Sequence, residues 1–125
     1  MAQLLIVDDE LDVREFAANF FRKRKIDVAT AASGEEALSM IATDKPYLVL
    51  LDIKMSGIDG IETLRRIKNL DQDIKVVMVT GRKPEEEGCV QCQELGASDY
   101  IHKPLILEEL ERVVLRILQE EKVKS

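Results

Sequence analysis

Asp8 and Asp9 close one apolar run, Leu4-Leu5-Ile6-Val7, and Asp52 closes another, Tyr47-Leu48-Val49-Leu50-Leu51. Thr80 ends a third, Val76-Val77-Met78-Val79, and Lys103 follows the short run 98–101. If these runs are parallel strands, their carboxyl ends lie along one sheet edge, where open α/β folds bind ligands. Three carboxylates gathered there repel one another and lose hydration. Stability alone would avoid that cost, so the acids point to a hard divalent cation among them. Each residue has a plain reading by itself: Asp9 as a helix cap, Asp52 as a turn former, Lys103 as a solvated side chain. All five at strand ends form a pattern that chance rarely supplies.

The elements needed to place these residues can be read from periodicity. Strand candidates are 3–7, 26–31, 47–51, 75–80 and 98–101. Runs 4–7, 47–51 and 76–79 are continuously apolar, as in strands covered by helices on both faces, whereas 26–31 and 98–101 suit sheet edges. Helical stripes fill the gaps: Val13, Phe16, Ala17 and Phe20; Ala37, Leu38, Ile41 and Ala42; Ile61, Leu64 and Ile67; and Leu110, Val113, Val114, Ile117 and Leu118. Ser33 with Glu36 predicts a capping box, and Arg22-Lys23-Arg24-Lys25 reads as a solvated, cationic helix end. A fourth helix opens at Pro84-Glu85-Glu86-Glu87, and Gly88 is expected to interrupt it, leaving it short or mobile. Five strand–helix alternations predict a doubly wound parallel α/β sheet.

With 125 residues the chain is expected to form a single domain, 1–125. Apolar residues are 46% and charged residues 34%, and aromatics are scarce, so the core must rest on aliphatic side chains. The net charge of -6 argues against direct contact with a nucleic-acid backbone. No run approaches the ~18 apolar residues of a membrane span, and no signal region precedes the first strand. A cytoplasmic protein without membrane contact is expected. Cys89 and Cys92 form a lone C-x-x-C, with the sole histidine, His102, elsewhere, so they read as packing residues rather than a metal or redox site.

The chain resembles the response-regulator receiver domains of two-component signalling. The matching segments are Val7-Asp8-Asp9-Glu10, Leu51-Asp52-Ile53-Lys54-Met55, Asp59-Gly60, Thr80-Gly81, Gly96-Ala97-Ser98-Asp99-Tyr100 and Lys103-Pro104, running from about Gln3 to about Gln119. The resemblance implies five helices around a flavodoxin-like sheet of strand order 2-1-3-4-5. It implies that Asp52 is the phosphoacceptor and that Asp8, Asp9, Asp52 and the Lys54 backbone carbonyl hold Mg2+. Lys103 and Thr80 would contact phosphoryl oxygens, while Thr80 and Tyr100 would act as the switch pair. Glu10 reads as a solvated acid. The implied donor is a sensor histidine kinase or a phosphotransfer protein. The implied output is a remodelled surface of fourth helix, fifth strand and fifth helix, offered to a downstream protein or effector domain by a monomer or a phosphorylation-dependent dimer. A cis Lys103-Pro104 bond is implied as well.

Four departures from the family pattern fall outside the five chemical positions. Ser56 replaces a proline, Gly81 replaces an alanine, Lys25-Ile26 replaces a glycine at the first helix end, and 80–96 is one residue longer than the common pattern. Lys54 and Arg82 stand two residues past site residues, where the family tunes the lifetime of the phosphate. Two rival readings are weaker. A haloacid-dehalogenase-like phosphohydrolase would set its two acids two residues apart, not adjacent, and would carry an acid–base residue and a cap. A docking module without phosphorylation would lack one of the acids. No turnover of an external substrate is expected, only self-catalysed phosphoryl transfer and slow autodephosphorylation. The chain reads either as a stand-alone switch or as the receiver of a longer DNA-binding or enzymatic regulator.

Overall fold

The computed structural model describes residues 2–55, 57–81 and 87–124, and the side chains among these except for 87–90 and 121–124. Five strands alternate with five helices: β1 (Leu4–Val7), α1 (Leu11–Arg22), β2 (Val28–Ala31), α2 (Gly34–Thr43), β3 (Leu48–Asp52), α3 (Gly60–Leu70), β4 (Lys75–Thr80), α4 (Glu87–Glu94), β5 (Asp99–His102) and α5 (Leu107–Lys124). All neighbouring strands are parallel, in the order β2-β1-β3-β4-β5. The two less apolar strands, β2 and β5, are the edges, as their composition predicts.

The continuous apolar strands are explained by a core on each face. Leu4, Ile6, Leu48, Leu50, Val77 and Val79 pack beneath α1 and α5, against Ala17, Phe21, Val114 and Ile117. The alternate residues Leu5, Val7, Val49, Leu51, Val76 and Met78 pack against Ile41 of α2, Leu64 and Ile67 of α3 and Cys92 of α4. Cys92 is buried in this cluster and is a packing residue. The side chain of Cys89 lies outside the described residues.

Register sets the site. Val7 pairs with Leu51, which brings the following residues Asp8 and Asp52 side by side. Asp52 itself pairs with Val79 and Thr80 with His102. Asp8 continues the parity of Leu4 and Ile6, and Asp52 that of Leu48 and Leu50, so both carboxylates leave the sheet on one side.

Two helical expectations need correction. The buried face of α1 is Ala17, Ala18 and Phe21, whereas Phe16 is 49% exposed; Ala42 of α2 is exposed as well. A 3.6-residue period fits both neighbouring stripes of α1, and only packing against β1 and α5 chooses between them. The fourth helix is short, eight residues, but it runs through Gly88 instead of breaking there. Its expected start at Pro84–Glu86 lies outside the described residues. The Ser33 cap is present: its Oγ accepts the Glu36 N–H at 3.0 Å, while Glu36 accepts the Ala32 N–H at 2.8 Å.

Lys25 sits in the left-handed region, at φ 63°. The Lys25 N–H donates to Arg22 O and the Ile26 N–H to Phe21 O, the paired bonds of a Schellman ending, with Ile26 packed on the cluster that holds Phe21. This position favours glycine, and a side chain there costs roughly 1–2 kcal/mol. Lys25→Gly is expected to raise stability by about 1 kcal/mol, read as a higher urea midpoint at unchanged slope.

Candidate functional site

Asp8 and Asp52 are almost fully buried, each 3% exposed. Each uses one carboxylate oxygen to fix its own turn: Asp8 Oδ1 accepts the Glu10 N–H at 2.9 Å, and Asp52 Oδ1 accepts the Lys54 N–H at 3.3 Å. The other oxygens face Lys103, whose Nζ lies 3.0 Å from Asp52 Oδ2 and 3.8 Å from Asp8 Oδ2. One ammonium thus lies between two buried carboxylates. Lys103 follows β5, where its own N–H donates to Thr80 O at 2.9 Å, and the Lys103-Pro104 bond is cis.

Burial raises both carboxyl pKa values, more than the hydrogen bonds and the Lys103 charge lower them. Burial also works against the Lys103 ammonium, but its hydrogen bond to Asp52 and the charges of Asp52 and Asp8 leave its pKa raised. A cavity of about 370 Å³ opens beside this trio, lined by Asp52, Ile53, Lys54, Thr80, Gly81 and Lys103. Thr80 is buried; Tyr100 is half-buried and packs on the face that carries α2 and α3.

Exposed Asp9 and Glu10 complete the acidic turn: one carboxylate oxygen from each of Asp8, Asp9 and Glu10 lies within 4.8 Å of the others. These all-oxygen donors fit a hard divalent cation such as Mg2+. Glu10, read from sequence as solvated, belongs to this group, and the neighbouring Asp52 carboxylate pairs with Lys103. Lys54 is exposed, and Arg82 and Ser56 lie outside the described residues.

The Asp52 backbone is held by the start of α3. Asp59 caps that helix by accepting the Glu62 N–H at 2.9 Å, and the Gly60 N–H donates to Ile53 O at 2.8 Å. A Cβ on Gly60 would lie 2.2 Å from Asp52 O and 2.6 Å from Ile53 Cα. The Asp59-Gly60 pair marks this position in sequence, but its contact with the end of β3 appears only in three dimensions.

The response regulator receiver domain model matches residues 4–115. The chain belongs to that family. This receiver domain is 36% identical over 116 residues to sporulation initiation phosphotransferase F of Bacillus subtilis, covering 93% of each chain. It is 35% identical over 128 residues to the transcriptional regulatory protein AfsQ1 of Streptomyces coelicolor and 37% identical over 108 residues to response regulator MprA of Mycolicibacterium vanbaalenii. The receiver spans about half the length of those two regulators, 56% and 46%. Among solved structures, a CheY-like receiver domain protein from Methanospirillum hungatei matches all of this chain and 99% of its own, with TM-score 0.92 and 29% identity. NtrX from Brucella abortus matches 99% of the receiver with 28% of its own length, TM-score 0.88 and 35% identity.

Gly60→Ala is expected to cost about 3 kcal/mol, because backbone rather than a flexible side chain blocks the new methyl. Gly81→Ala, with nothing among the described residues within 4 Å of its Cβ position, is expected to stay within about 0.5 kcal/mol of the parent. Urea denaturation of the two variants checks both.

The raised carboxyl values carry a pH signature. Stability from a group raised above its unfolded value is complete below that value, 3.8, and is lost as pH rises through the folded value. In a chelator, Asp52→Asn is therefore expected to denature at higher urea than the parent at about pH 7, with the advantage shrinking toward about pH 4.

Proposed function

We propose that this receiver accepts a phosphoryl group on Asp52. The observation that carries the reading is the Asp52 carboxylate, buried at the wall of a cavity it shares with Thr80 and Lys103. A carboxylate oxygen of Asp52 attacks phosphorus, the bond between phosphorus and the donor's imidazole nitrogen breaks, and that nitrogen keeps the electron pair. Lys103 turns from its carboxylate partners toward one phosphoryl oxygen, and the Thr80 hydroxyl donates to another. Asp8, Asp9 and Asp52, with the Lys54 carbonyl and with Glu10 nearby, would hold Mg2+. When bound, the ion neutralises charge on the phosphoryl oxygens. The protein supplies position and charge and turns over no separate substrate beyond slow loss of its own phosphate.

The donor is read as a histidine kinase or phosphotransfer protein. A groove of about 330 Å³, lined by Glu10, Val13, Phe16, Lys103, Pro104 and Leu105, shares Lys103 with the phosphoacceptor cavity. Leu11 and Phe16 of α1, Ile106 just before α5 and Leu107 at its start are exposed large apolar residues within this lining or next to it in sequence. An apolar rim beside the acceptor suits a protein donor better than a small solute. Thr80 and Tyr100 are read as the pair that passes the change to α4, β5 and α5. The whole of 1–125 is read as one such domain, working as a separate switch, as the coverage shared with sporulation initiation phosphotransferase F allows, or within a longer regulator of the MprA kind.

Acetyl phosphate with Mg2+ is expected to label the protein on Asp52, seen by intact mass and peptide mapping. Label persisting in Asp52→Asn would remove Asp52 from its role. Phe16→Ala is expected to slow transfer from a phosphorylated kinase domain at least several-fold while acetyl phosphate labelling continues at the parent rate. An equal loss with both donors would show that Phe16 acts on folding or on the site instead.

A further inference from the structure

Arg14 is placed to act on the acidic turn through its backbone. Its Nη1 donates to the backbone carbonyl of Asp8 at 2.7 Å, a charge-assisted bond to a residue only 3% exposed. The other side of the same residue is also tied, since the Asp8 N–H donates to Ala31 O at 3.2 Å. The peptide planes before and after Asp8 are therefore both held, one by the edge strand β2 and one by Arg14. Within that frame Asp8 Oδ1 accepts the Glu10 N–H, and the oxygens of Asp8, Asp9 and Glu10 converge to within 4.8 Å. Arg14 is half-buried and does not line the groove to which its neighbours Val13 and Phe16 contribute.

We infer that Arg14 is a positioning residue for the cation cradle, aligning the 8–9 peptide so that the acids of the β1–α1 turn converge. The inference rests on the reading of that turn as the Mg2+ site. Charge and position make opposite demands here, which gives the inference a sign. Removing a cation from beside three carboxylates should, by Coulomb attraction alone, strengthen Mg2+ binding. Removing the group that orients them should weaken it, by about tenfold where an outer partner orients the ligands.

The test is Mg2+ titration of the full chain, parent against Arg14→Met and Arg14→Lys, followed by calorimetry and, independently, by the Mg2+ dependence of the melting temperature. Arg14→Met is expected to raise the Mg2+ dissociation constant about tenfold. Arg14→Lys, which keeps the charge and one donor, is expected to recover part of that loss. At saturating Mg2+, acetyl phosphate labelling of Arg14→Met should return to within about twofold of the parent, since the positioning defect lies in cation affinity. Unchanged or tighter binding in Arg14→Met, with the parent binding normally, overturns the inference and leaves the site reading intact. If Arg14→Met does not fold, Arg14→Lys decides: parental or tighter affinity in it counts against positioning by the fork. A parent that shows no Mg2+ binding overturns the site reading, and this inference with it.

Discussion

Two buried carboxylates share one ammonium, and much of the molecule is arranged to make that possible. Burial penalises the ionised form of Asp8 and of Asp52, and each bond to the neighbouring turn returns only part of the penalty. Lys103 returns a further part by lying between the two outer oxygens, and both carboxyl pKa values stay raised. The pairing needs three strands in fixed register, since β1 and β3 bring the acids and β5 delivers the lysine. A one-residue slip of any of the three would move its group to the opposite side of the sheet. The two apolar cores are what resist such a slip, because every inward residue of β1, β3 and β4 is committed to one helical layer or the other.

The same constraint explains the unusual closeness of α3 to β3. A helix start that packs on a strand end at backbone distance leaves no room for a Cβ, and Gly60 meets that requirement. The peptide after Asp52 is thereby clamped by a capped helix rather than by a free loop. On the other strand end, Arg14 and the β2 edge hold Asp8 from either side. Both acids are therefore carried on rigid backbone, as preorganised charge chemistry needs.

Much of this could be read in the chain itself. The edge strands, the two-layer core and the α5 stripe followed from apolar runs and their spacing, because tertiary packing agrees with local pattern there, while the strand order came with the family resemblance. The α1 stripe did not, since Phe16 and Phe21 both suit a 3.6-residue period and only the neighbouring elements decide which is covered. Glu10 and Arg14 were hidden for a related reason. An acid and an arginine in the first turns of a helix look like ordinary solvated residues, and only the closed turn shows that one joins Asp8 and Asp9 and the other grips the Asp8 carbonyl. The pairing of Lys103 with both acids was equally unreadable, as it depends on the reach of one side chain across two strands.

Seen this way, the lysine has two incompatible partners under the proposed chemistry. It cannot stay centred between Asp8 and Asp52 and also neutralise a phosphoryl oxygen in the cavity beside them. Any cation that enters the acidic turn takes over part of its duty toward Asp8, and any phosphoryl group on Asp52 removes the oxygen it holds most closely. Both events push the ammonium the same way, toward the cavity lined by Thr80. Lys103 also donates its backbone N–H to Thr80 O, where β4 and β5 meet. Lys103 thus joins the acids to the strands that flank the proposed output surface, where Thr80 and Tyr100 are read as the switch pair.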